Sequence, residues 1–401
     1  MTANAGYHAY ATGDVLTAAQ VQYNLQNQTV MYFATTTARD AALTGAILVE
    51  GMVSYIPATG LMYYNGSAWT AVGASNVPTL SNPVLNSAFQ VWQRGTSIAV
   101  AASSIPYTAD RWQIATGVNE AFTVSRQATG DTTNLPNIQY CARVQRNSGQ
   151  TGTTAISFVQ SFESINSIPF AGKSVVFSFY ARAGANFSGV SATVRGVLAT
   201  GTGTDQNRLT AVYTGETQPI IQDAILTTTW QRFTGTGTVP ATATEMGIVF
   251  TSTPTGTAGT NDYFEITGVQ LELGSIATPF DTYATTIQGE LAACQRYYWR
   301  NSAAYGSIGI IQQQTTTLAG TVVPFPVQMR TVPTLDANSG TNYFVVKTLN
   351  TTNTISSAWT LDVASLTSSE IYITTPTTVA GSAGFAYLNN TSAYIGFSAE
   401  L

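Results

Sequence analysis

Glycosidic bond hydrolysis needs two carboxyls roughly 5–10 Å apart in a cleft. The local candidates are Asp262 with Glu265, and Asp110 beside Arg111. Residues three apart in a strand point to opposite faces, so Asp262 and Glu265 make a poor pair. His8 is the sole histidine, which leaves neither a Ser-His-Asp triad nor a His-rich metal site. Loop carbonyls with Asp131, Asp205 or Asp262 offer oxygen donors for calcium, but no EF-hand spacing accompanies them. The Gly-rich segments lack the Lys and the strand-to-helix context of a phosphate-binding loop. Cys141 and Cys294 stand far apart in no metal-like spacing, and are expected to be free, buried thiols. No catalytic residue, metal or cofactor is assigned on these grounds.

The elements that position these groups read as strands and turns. Of the 401 residues, 44% are hydrophobic and 11% aromatic, enough to fold, yet only 9% are charged, against roughly 25% in an average soluble chain. Thr, Ser, Asn and Gln must therefore supply the polar surface, and Thr suits a solvated strand face. The net charge of −5 argues against a nucleic-acid partner, which needs a basic face. No stretch approaches the ~18 apolar residues of a membrane span, and the first residues show no basic and apolar leader pattern.

Thr17-Ala18-Ala19-Gln20 has capping-box spacing, with Val21 and Leu25 on one face, and predicts a helix over about 17–28. TTTARDAAL offers a second cap and a further turn. EGMVSYIPATGLMYYNGSAWTAV reads as three strands, with turns at Pro57-Ala58-Thr59-Gly60 and Asn65-Gly66. After a Gly/Ser/Pro boundary, short strand signals recur over 83–282 at sandwich spacing. In KSVVFSFYAR, Val175, Phe177 and Phe179 alternate with Ser178. Val269, Leu271 and Leu273 alternate with Gln270 and Glu272 as in a half-buried strand. Thr285-Thr286-Ile287-Gln288 resembles another capping box. Ile287, Leu291, Cys294 and Tyr298 then fall at i, i+4, i+7 and i+11 as one apolar stripe. That stripe either docks on a sandwich of its own chain or forms an axis between three copies. Residues 301–401 are again strand and turn and carry six charged residues: Arg330, Asp336, Lys347, Asp362, Glu370 and Glu400. So little charge implies that neighbouring copies cover much of that surface. The expected fold is mostly β: a small N-terminal α/β module (1–78), a central jelly-roll-like β-sandwich (79–284), and a linker helix with a distal β-sandwich (285–401), arranged as an elongated fibre.

The run ATGDVLTAAQVQYNLQNQTVMYFATTTARDAAL…EGMVSYIPATGLMYYNGSAWTAV resembles the start of many phage virion structural proteins. NPVLNSAFQVWQRG, TADRWQ, VQLELGSIATPFD and ELAACQRYYWR resemble the carbohydrate-module-like sandwich domains of phage tail fibres and related appendages. VPFPVQMRTVPTL resembles the start of the terminal domain in those proteins. The resemblance implies a homotrimer, located on the virion, docked through its N-terminal module onto other phage structural proteins. It makes Asp110–Arg111–Trp112 a structural ion pair and core anchor, and Trp92 is likewise assigned to core. The expected role is adhesion to a host-surface glycan by a tail or baseplate fibre, with no reaction and no membrane insertion. The alternatives are a head-surface fibre or decoration protein, and a glycan-degrading tailspike. Aromatic rings stack on the apolar faces of sugars, and the distal domain supplies Trp359, Tyr343, Tyr372 and Tyr394 as glycan-binding candidates, Trp359 foremost. The trimer-axis candidates are Ile287, Leu291, Cys294 and Tyr298.

Overall fold

The computed structural model describes residues 30–43, 48–72, 82–302, 305–349 and 351–401. The chain divides into two compact units, 1–79 and 80–401. The helix expected over 17–28 lies outside the described residues.

In the first unit, strand β1 (Val30–Tyr32) pairs in parallel with β2 (Val53–Ile56), and β3 (Gly60–Tyr64) and β4 (Trp69–Ala71) follow antiparallel. Gly60 begins β3 at φ +76°, a value that favours glycine. Helix α1 (Thr36–Ala42) is capped by Thr35, whose hydroxyl accepts from the Ala38 N–H at 3.1 Å. It supplies Arg39, whose buried guanidinium stands 4.5 Å over the Trp69 ring. Val30, Tyr32, Tyr55 and Tyr63 are exposed.

The second unit holds two sandwiches. In the central one, a five-stranded sheet runs β12 (Thr217–Ile225), β11 (Thr193–Gly201), β14 (Glu245–Ser252), β9 (Ile156–Ser161), β6 (Gln113–Ala115). A six-stranded sheet faces it: β13 (Gln231–Thr238), β10 (Ser174–Ala183), β15 (Tyr263–Leu273), β8 (Tyr140–Arg146), β7 (Phe122–Ala128), β5 (Ser97–Val100). The chain steps between the sheets at β9 to β10, β12 to β13 and β14 to β15. On β10 the inward Val175, Phe177 and Phe179 are fully buried, but the expected alternation with Ser178 does not show in burial, because Ser178 and Val176 are buried as well. Trp112 fills the middle of this core, its ring 5.0 Å from Phe158 and 5.1 Å from Phe89. Trp92 is buried in the same core.

The half-buried pattern expected of Val269, Leu271 and Leu273 fails on one side, because Gln270 and Glu272 are buried as well. The segment that follows β15 folds back over them. Gln270 accepts the Asp281 N–H at 2.7 Å, Glu272 accepts from the Thr278 hydroxyl, and Phe280 packs near Trp230.

Helix α2 (Ser164–Ser167) leads into a single 3₁₀ turn (Ile168–Phe170), and helix α3 (Ile287–Gln295) joins the sandwiches. Thr286 caps α3, accepting the Gly289 N–H at 3.2 Å. The predicted apolar stripe does not survive. The helix ends at Gln295, Tyr298 begins a strand, and Ile287 is 49% exposed. Leu291 is half-buried, whereas Cys294 is fully buried and Glu290 accepts the Asn86 N–H. Thus α3 docks on its own chain through Glu290 and Cys294 and presents no continuous apolar seam. Both cysteines are free and buried.

The distal sandwich sets a three-stranded sheet, β16 (Tyr298–Asn301), β25 (Ile395–Ser398), β19 (Thr334–Ala337), against a seven-stranded one. The latter runs β21 (Thr352–Ile355), β20 (Phe344–Thr348), β24 (Ala383–Leu388), β17 (Ser307–Gln313), β18 (Leu318–Pro324), β23 (Ser368–Thr374), β22 (Thr360–Ala364). The division expected at 284–285 therefore separates two hydrophobic cores inside one compact unit.

Candidate functional site

The chain's penultimate residue joins the two sandwiches. The Glu400 side chain is only 4% exposed and pairs with both Arg94 and Arg111 of the central sandwich. Arg94 lies 3.5 Å over the Tyr298 ring and Arg111 3.6 Å over that of Tyr297. The expected Asp110–Arg111 ion pair is therefore corrected: adjacent side chains diverge. Asp110 accepts from the Gln93 backbone (2.7 Å) and side chain (2.6 Å), while Arg111 reaches Glu400. Trp112 is the core anchor of that triplet.

Beside this joint lies a cavity of about 400 Å³ between the central sandwich, α2 and α3, within the usual range for small-ligand pockets. Glu163 and Tyr297 line its buried floor. Arg296 grips the Glu163 carboxylate with two N–H groups at 3.1 and 3.0 Å, and the Tyr297 hydroxyl donates to it as well. Burial pushes the Glu163 carboxyl up, but the bonds from Arg296 and Tyr297 outweigh it and hold the pKa below the usual range. Tyr283, Ile165 and Asn166 form an exposed rim. Glu163 is the one acidic residue among those lining the cavity, so paired-carboxylate hydrolysis has no partner there. What the arrangement offers is an accessible phenol ring, an amide, the remaining N–H groups of Arg296, and a carboxylate fixed in its charged form. Such groups can stack on a ring and exchange hydrogen bonds with hydroxyls.

The four predicted glycan-binding aromatics do not converge. Trp359 is a correction: it is only 3% exposed, packed edge-on against Phe344 at 6.2 Å, and presents no ring face to a ligand. The neighbouring Ser and Thr that made it look solvated are the exposed residues of its loop. Tyr394 donates to Asp336 at 3.2 Å under the guanidinium of Arg300, which stands 3.5 Å from its ring. Tyr343 packs against the distal core. Tyr372 lies half-buried on β23 opposite Thr360 and Gly320. Tyr283 and Tyr297 escaped notice in the sequence; Tyr297 stands in the quoted CQRYYWR run.

The carboxylates weighed for catalysis are committed elsewhere. Glu265 is fully buried between Arg143 and Arg182. Asp262 pairs with Arg146 at 3.0 Å. Arg146 also donates to the carbonyls of Gln150, Gly152 and Gly256, so a guanidinium gathers the loop oxygens that a cation would use. Asp205 accepts the Ser164 N–H, and Asp131 accepts from Thr133 and Asn134.

Two packed antiparallel sheets with successive strands crossing between them define a jelly-roll-like β-sandwich, and the distal half repeats the two-sheet plan. No family model matches the sequence. No curated protein matches it. Solved structures with similar coordinates include the enzymatically active domain of tailspike protein 4 of bacteriophage CBA120, at 13% identity over 48% of this chain and 21% of that one, TM-score 0.29. A Clostridium thermocellum endo-1,4-β-D-xylanase, comprising a family 22 carbohydrate-binding module and a catalytic module with xylohexaose, matches at 11% identity over 51% of this chain and 30% of its own, TM-score 0.29. A Stig cyclase from Fischerella matches at 13% identity over 49% of this chain and 99% of its own, TM-score 0.31. At these overlaps the sandwich is defined by its own strand order, and the site by its own residues.

Proposed function

We propose that this chain is a structural subunit of a bacteriophage particle, a tail or baseplate fibre that adheres to host-surface glycan without cleaving it. The observation that carries the reading is the cleft at Glu163: an exposed tyrosine rim over a fixed carboxylate–guanidinium floor, with a single acidic residue lining it. The motif order of the sequence supports placing the chain on a virion, as a homotrimer. The exposed Val30, Tyr32, Tyr55 and Tyr63 of the N-terminal unit support its docking onto other particle proteins. Individually weak sites on several copies add up to firm attachment through effective concentration.

The test is a bacterial-surface glycan array probed with the full chain and with Tyr283→Ala. The expected result is retention on at least one glycan and loss on the order of tenfold in the variant, the effect of one stacking face. A blank array, or retention indifferent to Tyr283→Ala, rejects the reading. A label at Leu401 on intact particles separates a tail fibre from a head-surface fibre.

A further inference from the structure

The outer face of the seven-stranded sheet carries one aligned row of side chains that is exposed among the described residues. Lys347 stands opposite Phe385 on β24, and Phe385 opposite Ile310 on β17. Extending the β17–β18 register two residues from Gln312↔Gly320 sets Val322 beside Ile310. Val322 in turn stands opposite Glu370 on β23. Phe385, Ile310 and Val322 are 59%, 72% and 57% exposed. Three large apolar side chains in register across adjacent strands form a contiguous patch, which marks an interaction surface more than scattered exposure does.

The charges at its ends say what fits it. Arg330, Asp336 and Glu400 of the distal sandwich are engaged within the chain, by ion pairs or by hydrogen bonds from Tyr298 and Tyr394. Lys347, Asp362 and Glu370 make no ion pair among the described residues, and Glu370 accepts one long hydrogen bond from Gln314 at 3.3 Å. Asp362 lies on β22 beyond the row, and Lys347 and Glu370 lie at opposite ends of the row, two strands either side of Ile310. The row is thus complementary to itself: turned about an axis through Ile310, the basic end of one copy meets the acidic end of another.

We propose that this face is the contact between copies of the chain, with Ile310 at the symmetry axis, the apolar row buried, and Lys347 of one copy paired with Glu370 of the next. A closed ring uses every such row once and leaves none bare. The inference shares with the fibre reading only the expectation of more than one copy, and it requires no glycan.

The test is the mass of the full chain in solution by sedimentation equilibrium, with folding monitored by circular dichroism. Wild type should be a defined oligomer. Lys347→Glu and Glu370→Lys should each weaken association on the order of tenfold, a like-charge contact replacing an attractive one. The double variant Lys347→Glu/Glu370→Lys should restore it. Phe385→Ser, which changes no charge, should weaken association while leaving the fold intact. A monomeric wild type, an oligomer indifferent to these substitutions, or a double variant that fails to recover overturns the proposal. Because the cleft lies elsewhere, glycan binding by a dissociated Lys347→Glu chain separates failure of this inference from failure of the adhesion reading.

Discussion

The outer face of the central six-stranded sheet and that of the distal seven-stranded sheet differ in what covers them. On the central sheet three large rings lie under guanidinium groups: Arg143 over Tyr263 at 3.9 Å, Arg182 over Trp230 at 4.7 Å, Arg232 over Tyr180 at 5.6 Å. Glu265 ties two of those arginines together. Eight of the thirteen arginines stack on aromatic rings in this way, so the chain's cations are spent on closing faces against themselves. No arginine stacks on the bare row of the distal sheet. A nearly lysine-free protein uses arginine where a flat cation can cover a ring while its N–H groups hold carboxylates. Where that cover is missing, another molecule is the remaining means of removing apolar area from water.

Substitutions sharpen this contrast in descending order of effect. Trp112→Ala empties the centre of the central core and should cost about 3–5 kcal/mol by chemical denaturation. Glu400→Gln leaves Arg94 and Arg111 buried without their shared counter-charge and should cost about 3 kcal/mol. Calorimetry should then resolve the melting of the two sandwiches into separate transitions. Glu163→Gln loses the grip of Arg296, itself partly exposed and so discounted for screening, and should cost about 1 kcal/mol near neutral pH.

That last variant has a pH signature. The Glu163 carboxyl is held below its ordinary range, so its stabilisation is complete above the unfolded-state pKa and lost as pH falls through the lower folded value. Burial raises the pKa of Glu290, which acts in the opposite sense. The difference between wild type and Glu163→Gln should therefore shrink on acidification, and a constant difference would exclude the carboxylate as its source. Arg195→Ala breaks an exposed pair with Asp223 and should change stability by under about 0.5 kcal/mol. Phe385→Ser should fall in the same small range while changing the mass of the particle in solution, which separates covering from folding.

The fold was legible wherever a residue's neighbours along the chain decide its fate. Phe177 and Phe179 announce a strand by alternation, and Thr286 announces a helix by its cap. The joint between the sandwiches was not legible, because Glu400 meets Arg94 and Arg111 across some three hundred residues and no local pattern encodes that pairing. Trp359 failed for a related reason: polar neighbours describe the loop around it, whereas its ring follows the core beneath. Tyr298 fits helical spacing arithmetically, yet the chain turns into a strand before reaching it, where pairing with β25 takes over. The Tyr283–Glu163 cleft combines residues from four separate segments, 83–85, 111, 160–170 and 283–297, and leaves no spacing to read.

The most direct measurement is a titration in solution. A glycan retained on the array is added to the full chain, to Tyr283→Ala and to Phe385→Ser, and the intrinsic affinity per site is read by calorimetry. The account predicts a loss on the order of tenfold in Tyr283→Ala and an unchanged per-site affinity in Phe385→Ser. An unchanged affinity in Tyr283→Ala would contradict it, and a loss confined to Phe385→Ser would move the binding site from the cleft to the distal sheet.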